Sequence, residues 1–226
     1  MTASIRFTVL AAILLPSAYA DSLDAILGRM DRAAKTFTSV SATLKQSEYT
    51  AVIKDLSDPE IGQLRVKRGK NGLNAIVEFP GREARTIVIS GHEARIYHPK
   101  ANTLEKYDVS KYASTVDQFL LLAFGTSGAD LRKNYDVKLG GTEAIDGTPT
   151  TRLDLAPKTE ELKKVISKVE LWIPEGGSNA IREKVTETTD NYYLVTYSNV
   201  NPHANVPDSA FDLKLPKGVH IVSPQH

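Results

Sequence analysis

The chain has 226 residues, 28 Lys and Arg against 27 Asp and Glu, and 41% hydrophobic content. That is enough apolar material for a sizeable core in one domain, since single all-β domains reach about 250 residues. Balanced charge without a basic tail excludes a nucleic-acid partner, and the absence of cysteine excludes thiol catalysis, cysteine-held metals, a disulfide framework and an N-terminal lipid anchor.

The N-terminus reads as an address. Arg6 precedes a short apolar run from Phe7 to Leu15, followed by Pro16 and the small-residue pattern Ala18-Tyr19-Ala20. This predicts a signal peptide over residues 1–20, cut before Asp21, because nine apolar residues fall well short of the roughly 20 needed to span a bilayer. A soluble, exported product is expected. An exported bacterial chain without cysteine is most simply periplasmic.

Past the cut, Leu23, Ile26, Leu27, Met30, Ala34 and Phe37 recur at helical spacing, with Asp21 or Ser22 placed to cap the first turn. From Ser41 to Val200 the pattern changes to short segments of period two. Turn signals separate them at Asp58-Pro59, Asn71-Gly72, Pro80-Gly81, Gly140-Gly141, Asp146-Gly147 and Glu175-Gly176-Gly177. An antiparallel meander is expected. One interruption, Thr115 to Phe124, carries Val116, Phe119, Leu120, Leu122 and Ala123 behind a Ser114-x-x-Asp117 cap, and a second short helix is expected at Ala129 to Asn134. Nothing marks a second domain, so 21–226 reads as one.

Alternation shows which strand face is dry. Gly62, Leu64, Val66 and Arg68 share one parity, which places Arg68 on an apolar face. Leu73, Ala75, Val77 and Phe79 share another, as do Val165, Ser167, Val169, Leu171 and Ile173. The strand holding Ile87 and Ile89 is apolar on both faces. A sheet with one apolar face must cover it, and the two amphipathic helical segments are the covers this pattern offers. The expected hydrophobic cavity is lined by Leu64, Val66, Val77, Phe79, Ile87, Ile89, Leu171 and Ile173. Its lid would carry Val116, Phe119, Leu120 and Ala123, hinged by Ser114, Gly125 and Gly128.

No reaction is nominated. His92, His98, His203, His220 and His226 lack the spacing of a zinc-binding helix, so no metal or other cofactor is expected. Gly125-Thr126-Ser127-Gly128-Ala129 fails as a nucleophile elbow at Ala129 and follows a helix-like run instead of a strand.

Several passages together resemble one family. Gly62-Gln63-Leu64-Arg65-Val66-Lys67-Arg68 is similar to the Gly-x-Leu-x-Val-Lys-Arg strand of the periplasmic outer-membrane lipoprotein carriers, the LolA family. Met30-Asp31-Arg32 and Phe37 through Gln46 resemble its helix-to-first-strand passage. Ile89-Ser90-Gly91-His92-Glu93 into Ile96-Tyr97-His98-Pro99 resembles a family hairpin, and Phe119 to Leu122 falls where its central helix lies. Asp208 to Phe211 with Leu215-Pro216-Lys217-Gly218-Val219 resembles its closing segment. The resemblance covers nearly all of 21–226. Two positions depart from it: Arg65 stands where the family usually has Trp, and Gly69 where it usually has Pro.

The resemblance implies an α+β fold, a strongly curved antiparallel sheet forming an unclosed half β-barrel with helices covering the concave face. It also implies a monomeric, non-enzymatic carrier that takes acylated lipoproteins from an inner-membrane ABC transporter and hands them to an outer-membrane receptor, with Arg68 contacting the lid. A binder of another lipid or hydrophobic ligand, and a structural envelope protein with no ligand, stay open as alternatives.

Overall fold

The computed structural model describes residues 21–70 and 72–224, the side chains of 112–115 excepted. The expected signal peptide and Asn71 lie outside the described residues; the expected cap position at Ser114 is corrected, because the helix there already begins at Ala113 and Ser114 falls within it. Helix α1, Leu23–Thr36, starts at Ser22, whose hydroxyl accepts the Ala25 amide. It presents Ile26, Leu27 and Met30 to the core.

The strands follow: β1 Ser39–Thr50, β2 Asp55–Leu56, β3 Glu60–Gly69, β4 Gly72–Phe79, β5 Arg85–Ser90, β6 Glu93–His98 and β7 Thr103–Asp108. Helices α2, Ala113–Leu121, and α3, Gly128–Asn134, interrupt the series as expected. The second run is β8 Tyr135–Ile145, β9 Thr148–Pro157, the one-turn helix α4 Glu160–Lys163, β10 Ile166–Pro174, β11 Arg182–Glu187 and β12 Tyr192–Asn201. A short β13, His220–Val222, ends it.

The thirteen strands of the described residues form one sheet in the order β13-β7-β6-β5-β4-β3-β1-β12-β11-β10-β9-β8, with β2 beside β1. The path ends at β13 and β8 without closing, so the architecture is an α+β open half-barrel. Two meanders, β3 to β7 and β8 to β12, are joined along the long β1, which pairs with β3 on one side and β12 on the other. The pairing is antiparallel except at the edge, where β13 runs parallel to β7, a strand the alternation did not reveal.

Three local expectations are corrected. Gly140-Gly141 is not a turn but a bulge inside β8, with a register shift against β9 and Gly141 at φ +106. Val165 and Ser167 leave the dry face because a second irregularity, between Ile166 and Lys168, puts Ile166 there in their place; Val165 is 49% exposed. The dry face is also not the only covered one. On the outer face, Ile76 and Val88 pack beneath Ala204, Val206 and Phe211 of the passage after β12, forming a second, smaller core.

Candidate functional site

Cross-strand register turns single parities into continuous apolar rows. Ala42, Leu64, Val77, Ile87 and Ile96 lie side by side from β1 to β6, and Val40, Val66, Ala75 and Ile89 form the next row. In the other meander, Leu153, Leu171 and Val195 share a row. All eight expected cavity residues meet in one apolar cluster with α1 and the α2–α3 passage: Leu64, Val66, Phe79, Leu171 and Ile173 buried, and Val77, Ile87 and Ile89 partly so. None of them lines either cavity described below; they are packed against the covering helices.

The cover has two parts with different attachments. Helix α1 is tied at its start and along its middle. Asp21 pairs with Arg29 at 2.5 Å, which holds its carboxyl below the usual range, and accepts the Gly176 amide; Arg29 Nε donates to the Gly177 carbonyl at 2.7 Å. In the first turn Asp24 pairs with Arg132, and further along Asp31 accepts the Ala129 amide at 3.0 Å, which together join α1 to α3. Gly128 permits this closeness, since a Cβ there would lie 2.6 Å from the Leu27 backbone oxygen.

Helix α2 shows fewer ties among its described side chains. Of its described side chains, Val116 to Leu121, none is fully buried. The Leu73 amide reaches Asp117 Oδ1 at 3.4 Å, and the following Ala123 carbonyl accepts the Ala180 amide at 3.0 Å. Among the expected lid residues, Ala123 is buried in the core cluster, Phe119 and Leu120 pack against it, and Val116 is half-buried.

Arg68 is exposed at the end of β3. Its backbone amide donates to the Thr38 carbonyl at 2.8 Å, its Nε lies 3.4 Å from the Phe37 carbonyl at the end of α1, and its guanidinium sits 5.8 Å from the Phe37 ring centre. The same ring lies against Gly125, where a Cβ would approach it to 2.7 Å and φ is +87. Phe37 thus stands between Arg68 and the α2–α3 passage. The two positions that depart from the family pattern have local partners. Arg65, of the opposite parity to Leu64, pairs with Glu78, and a Cβ at Gly69 would sit 2.6 Å from the Asn74 amide nitrogen.

Polar groups missed by parity alone lie inside the apolar face. Glu183 pairs across with Leu171 and Val195, so its side chain shares their face. Its Oε1 accepts from the Tyr197 hydroxyl at 2.8 Å, while Oε2 is buried without a hydrogen-bond partner. Burial pushes its carboxyl up to about 7. Tyr135, 2% exposed, also buries an unbonded hydroxyl. The signal was present at Glu183, which shares parity with Val185 as Arg68 does with Val66.

Two cavities flank the cover. One of about 270 Å³ lies between α2 and α3, lined by Gln118, Leu121, Leu122, Leu131 and Tyr135 among others. One of about 150 Å³ lies by Phe37, Val40, Phe124 and His203. Among the described residues, no group of three or more His, Asp or Glu is placed to hold a metal, and no helix is long and apolar enough to cross a membrane.

An open half-barrel with an apolar inner face under helices is an architecture found in solved structures. The chain is similar to an uncharacterised conserved protein from Thermus thermophilus, at 15% identity over 90% of this chain and 100% of that one, with a TM-score of 0.55. It is also similar to MucB, at 12% identity over 84% of this chain and 62% of MucB, with a TM-score of 0.50. A LolA-superfamily protein from Nitrosomonas europaea matches at 14% identity over 86% of this chain and 99% of that one, with a TM-score of 0.39. No protein-family model and no curated protein sequence matches the chain.

Proposed function

We propose that this protein is a periplasmic carrier of acylated lipoproteins, enclosing their lipid chains between the inner face of the sheet and a movable α2. The observation that carries this reading is the pair of continuous apolar rows on the inner face, covered by a helix with no fully buried described side chain. Each CH₂ removed from water is worth about 0.8 kcal/mol, so an acyl chain strongly favours such a surface. The cavity of about 270 Å³ is smaller than the roughly 300 to 1,000 Å³ of sites for drug-sized ligands, so uptake requires α2 to lift. No bond is made or broken in this role.

The motif resemblance supports lipoprotein as the cargo, an inner-membrane ABC transporter as donor and an outer-membrane receptor as acceptor. Directional transfer then needs only partners of rising affinity, about 1.4 kcal/mol for each tenfold step. Mass spectrometry of the gently purified protein tests the reading: an acylated polypeptide should co-purify. Recovery of free lipids alone would replace the cargo, and a protein empty of lipid that also binds none in solution would overturn the proposal.

A further inference from the structure

The β1–β2 hairpin projects past its neighbours. Pairing of β1 with β3 ends at Gln46 and with β12 at Tyr49, so the turn from Ala51 to Lys54 stands clear of the sheet. Its two central residues are apolar: Val52 is 92% exposed, more than any other large hydrophobic side chain among the described residues, and Ile53 is 67% exposed. Turn centres ordinarily carry Gly, Pro, Asn, Asp or Ser, so two β-branched residues held side by side in water are a feature to explain. The turn is firmly built. Lys54, at φ +53, donates its amide to the Ala51 carbonyl at 3.2 Å, the Ala51 amide donates to Asn191 Oδ1 at 2.9 Å, and Glu48 and Ser57 exchange two hydrogen bonds behind it. Next to the turn, the register sets Leu56, Tyr49 and Tyr192 in a row across β2, β1 and β12, of opposite parity to Ala42 and Leu44 and so on the outer face. Leu56 is exposed, the two tyrosine rings stack at 4.6 Å, and Lys184 Nζ lies 4.0 Å from the Tyr192 ring centre.

We propose that this hairpin tip is a membrane-contact device that inserts Val52 and Ile53 into the interface of a zwitterionic lipid bilayer. An apolar end, tyrosines behind it and a cation beyond them follow the order of environments met on leaving a bilayer. Tyrosine suits the level where one end of its ring is apolar and the other wet, and a lysine stem lets its charge stay among the headgroups. The spacing fits as well: Tyr49 is three residues from Val52, about 10 Å at about 3.3 Å a residue, against about 5 to 10 Å of apolar penetration for elements lying in the interface. A convex tip two residues wide offers a protein partner far less than the roughly 800 Å² a side of a standard interface, whereas a bilayer accepts it without a matching surface. Lys54 and Asp55 carry opposite charges, so apolar contact and not surface charge supplies the binding. The tip draws on none of the inner-face residues, and the contact stands apart from the carrier role.

Flotation with phosphatidylcholine vesicles tests the assignment. Wild type should float with the vesicles, and should still do so when salt is raised from about 0.1 to 1 M, where the Debye length falls from about 10 to 3 Å. Val52→Ser combined with Ile53→Ser should weaken partitioning roughly tenfold or more, at about fourfold for each CH₂ no longer buried. Thermal unfolding and uptake of a hydrophobic probe should stay at wild-type values in that variant, because both side chains are exposed. Ile53→Trp supplies a direct readout: its fluorescence should shift to the blue with vesicles and be quenched by brominated acyl chains, against the constant background of the buried Trp172. Failure of wild type to float would overturn the proposal and leave the tip to a partner protein. Flotation that survives the double substitution would move the contact to another surface and overturn it too, as would flotation abolished by salt. None of these results touches the carrier reading, which stands or falls on lipid uptake.

Discussion

Glu183 is the residue most at odds with its surroundings. Its cross-strand neighbours Leu171 and Val195 are 0% and 7% exposed, and one carboxylate oxygen has no partner. Burial therefore favours the protonated form, raising the group from 4.5 to about 7, with the Tyr197 hydrogen bond pulling the other way. Between those two values the folded chain holds a proton that the unfolded chain has released, so stability falls as pH rises through that window and levels off above it. The loss is on the order of 3 kcal/mol at about 1.4 kcal/mol for each pH unit. Thermal unfolding of wild type from about pH 5 to 8 should show this decline, and Glu183→Gln, which stays neutral, should flatten it. Equal slopes for the two proteins would show that the carboxyl is hydrated in solution. Parity placed Glu183 with Val185 in the sequence; what sequence could not supply was the register that sets Leu171 and Val195 beside it.

At the scale of elements, the two covering helices were legible because both carry helical apolar spacing, and α1 also begins at a capping residue, Ser22. Their unequal attachment was not, since it depends on partners far along the chain: Arg29 with Gly177, Asp31 with Ala129 and Asp24 with Arg132. The two bulges were illegible for a related reason, because a bulge is defined by the partner strand it slips against. Gly125 and Gly128, expected as hinges, are positions of close approach to Phe37 and Leu27. Arg68 lies next to this contact, with its guanidinium near the Phe37 ring and carbonyl. If that contact steadies the closed cover, Arg68→Leu should still fold and take up a hydrophobic probe, but change the rate of transfer to acceptor vesicles about tenfold, slowing release because leucine adds apolar surface at the mouth. Uptake and transfer both at wild-type rates would remove Arg68 from the mechanism.

For the molecule as a whole, the proposed carrier role asks the sheet to keep its curvature while its inner cover moves, and the two faces of the sheet are covered differently. The inner face is closed by helices, α1 with several ties and α2 with few among its described side chains. Across the outer face of β4 and β5 runs the passage from Ala204 to Leu213, held by Phe211 over Ile76 and Val88, by the Ser39 hydroxyl donating to the Ala204 carbonyl at 2.7 Å, and by Lys67 with Asp208 at 2.6 Å. This strap was invisible to alternation because its apolar residues follow no strand or helix period; its order comes from two strand residues, Ile76 and Val88, that point away from the main core. It braces the outer side of the sheet region whose inner side carries Val77, Ile87 and Ile89. Ligand could enter in two ways, by displacement of α2 or by flattening of the sheet, and the strap separates them. Phe211→Ala removes a side chain that is 4% exposed and should lower stability by about 3 kcal/mol. If α2 is what yields, the folded variant should bind a hydrophobic probe with wild-type affinity, because the strap touches only the outer face. If the sheet flattens instead, loosening its brace would make opening easier and raise the affinity. Chemical denaturation paired with probe titration on the same variant decides between them, and the unequal fastening of α1 and α2 favours unchanged affinity alongside reduced stability.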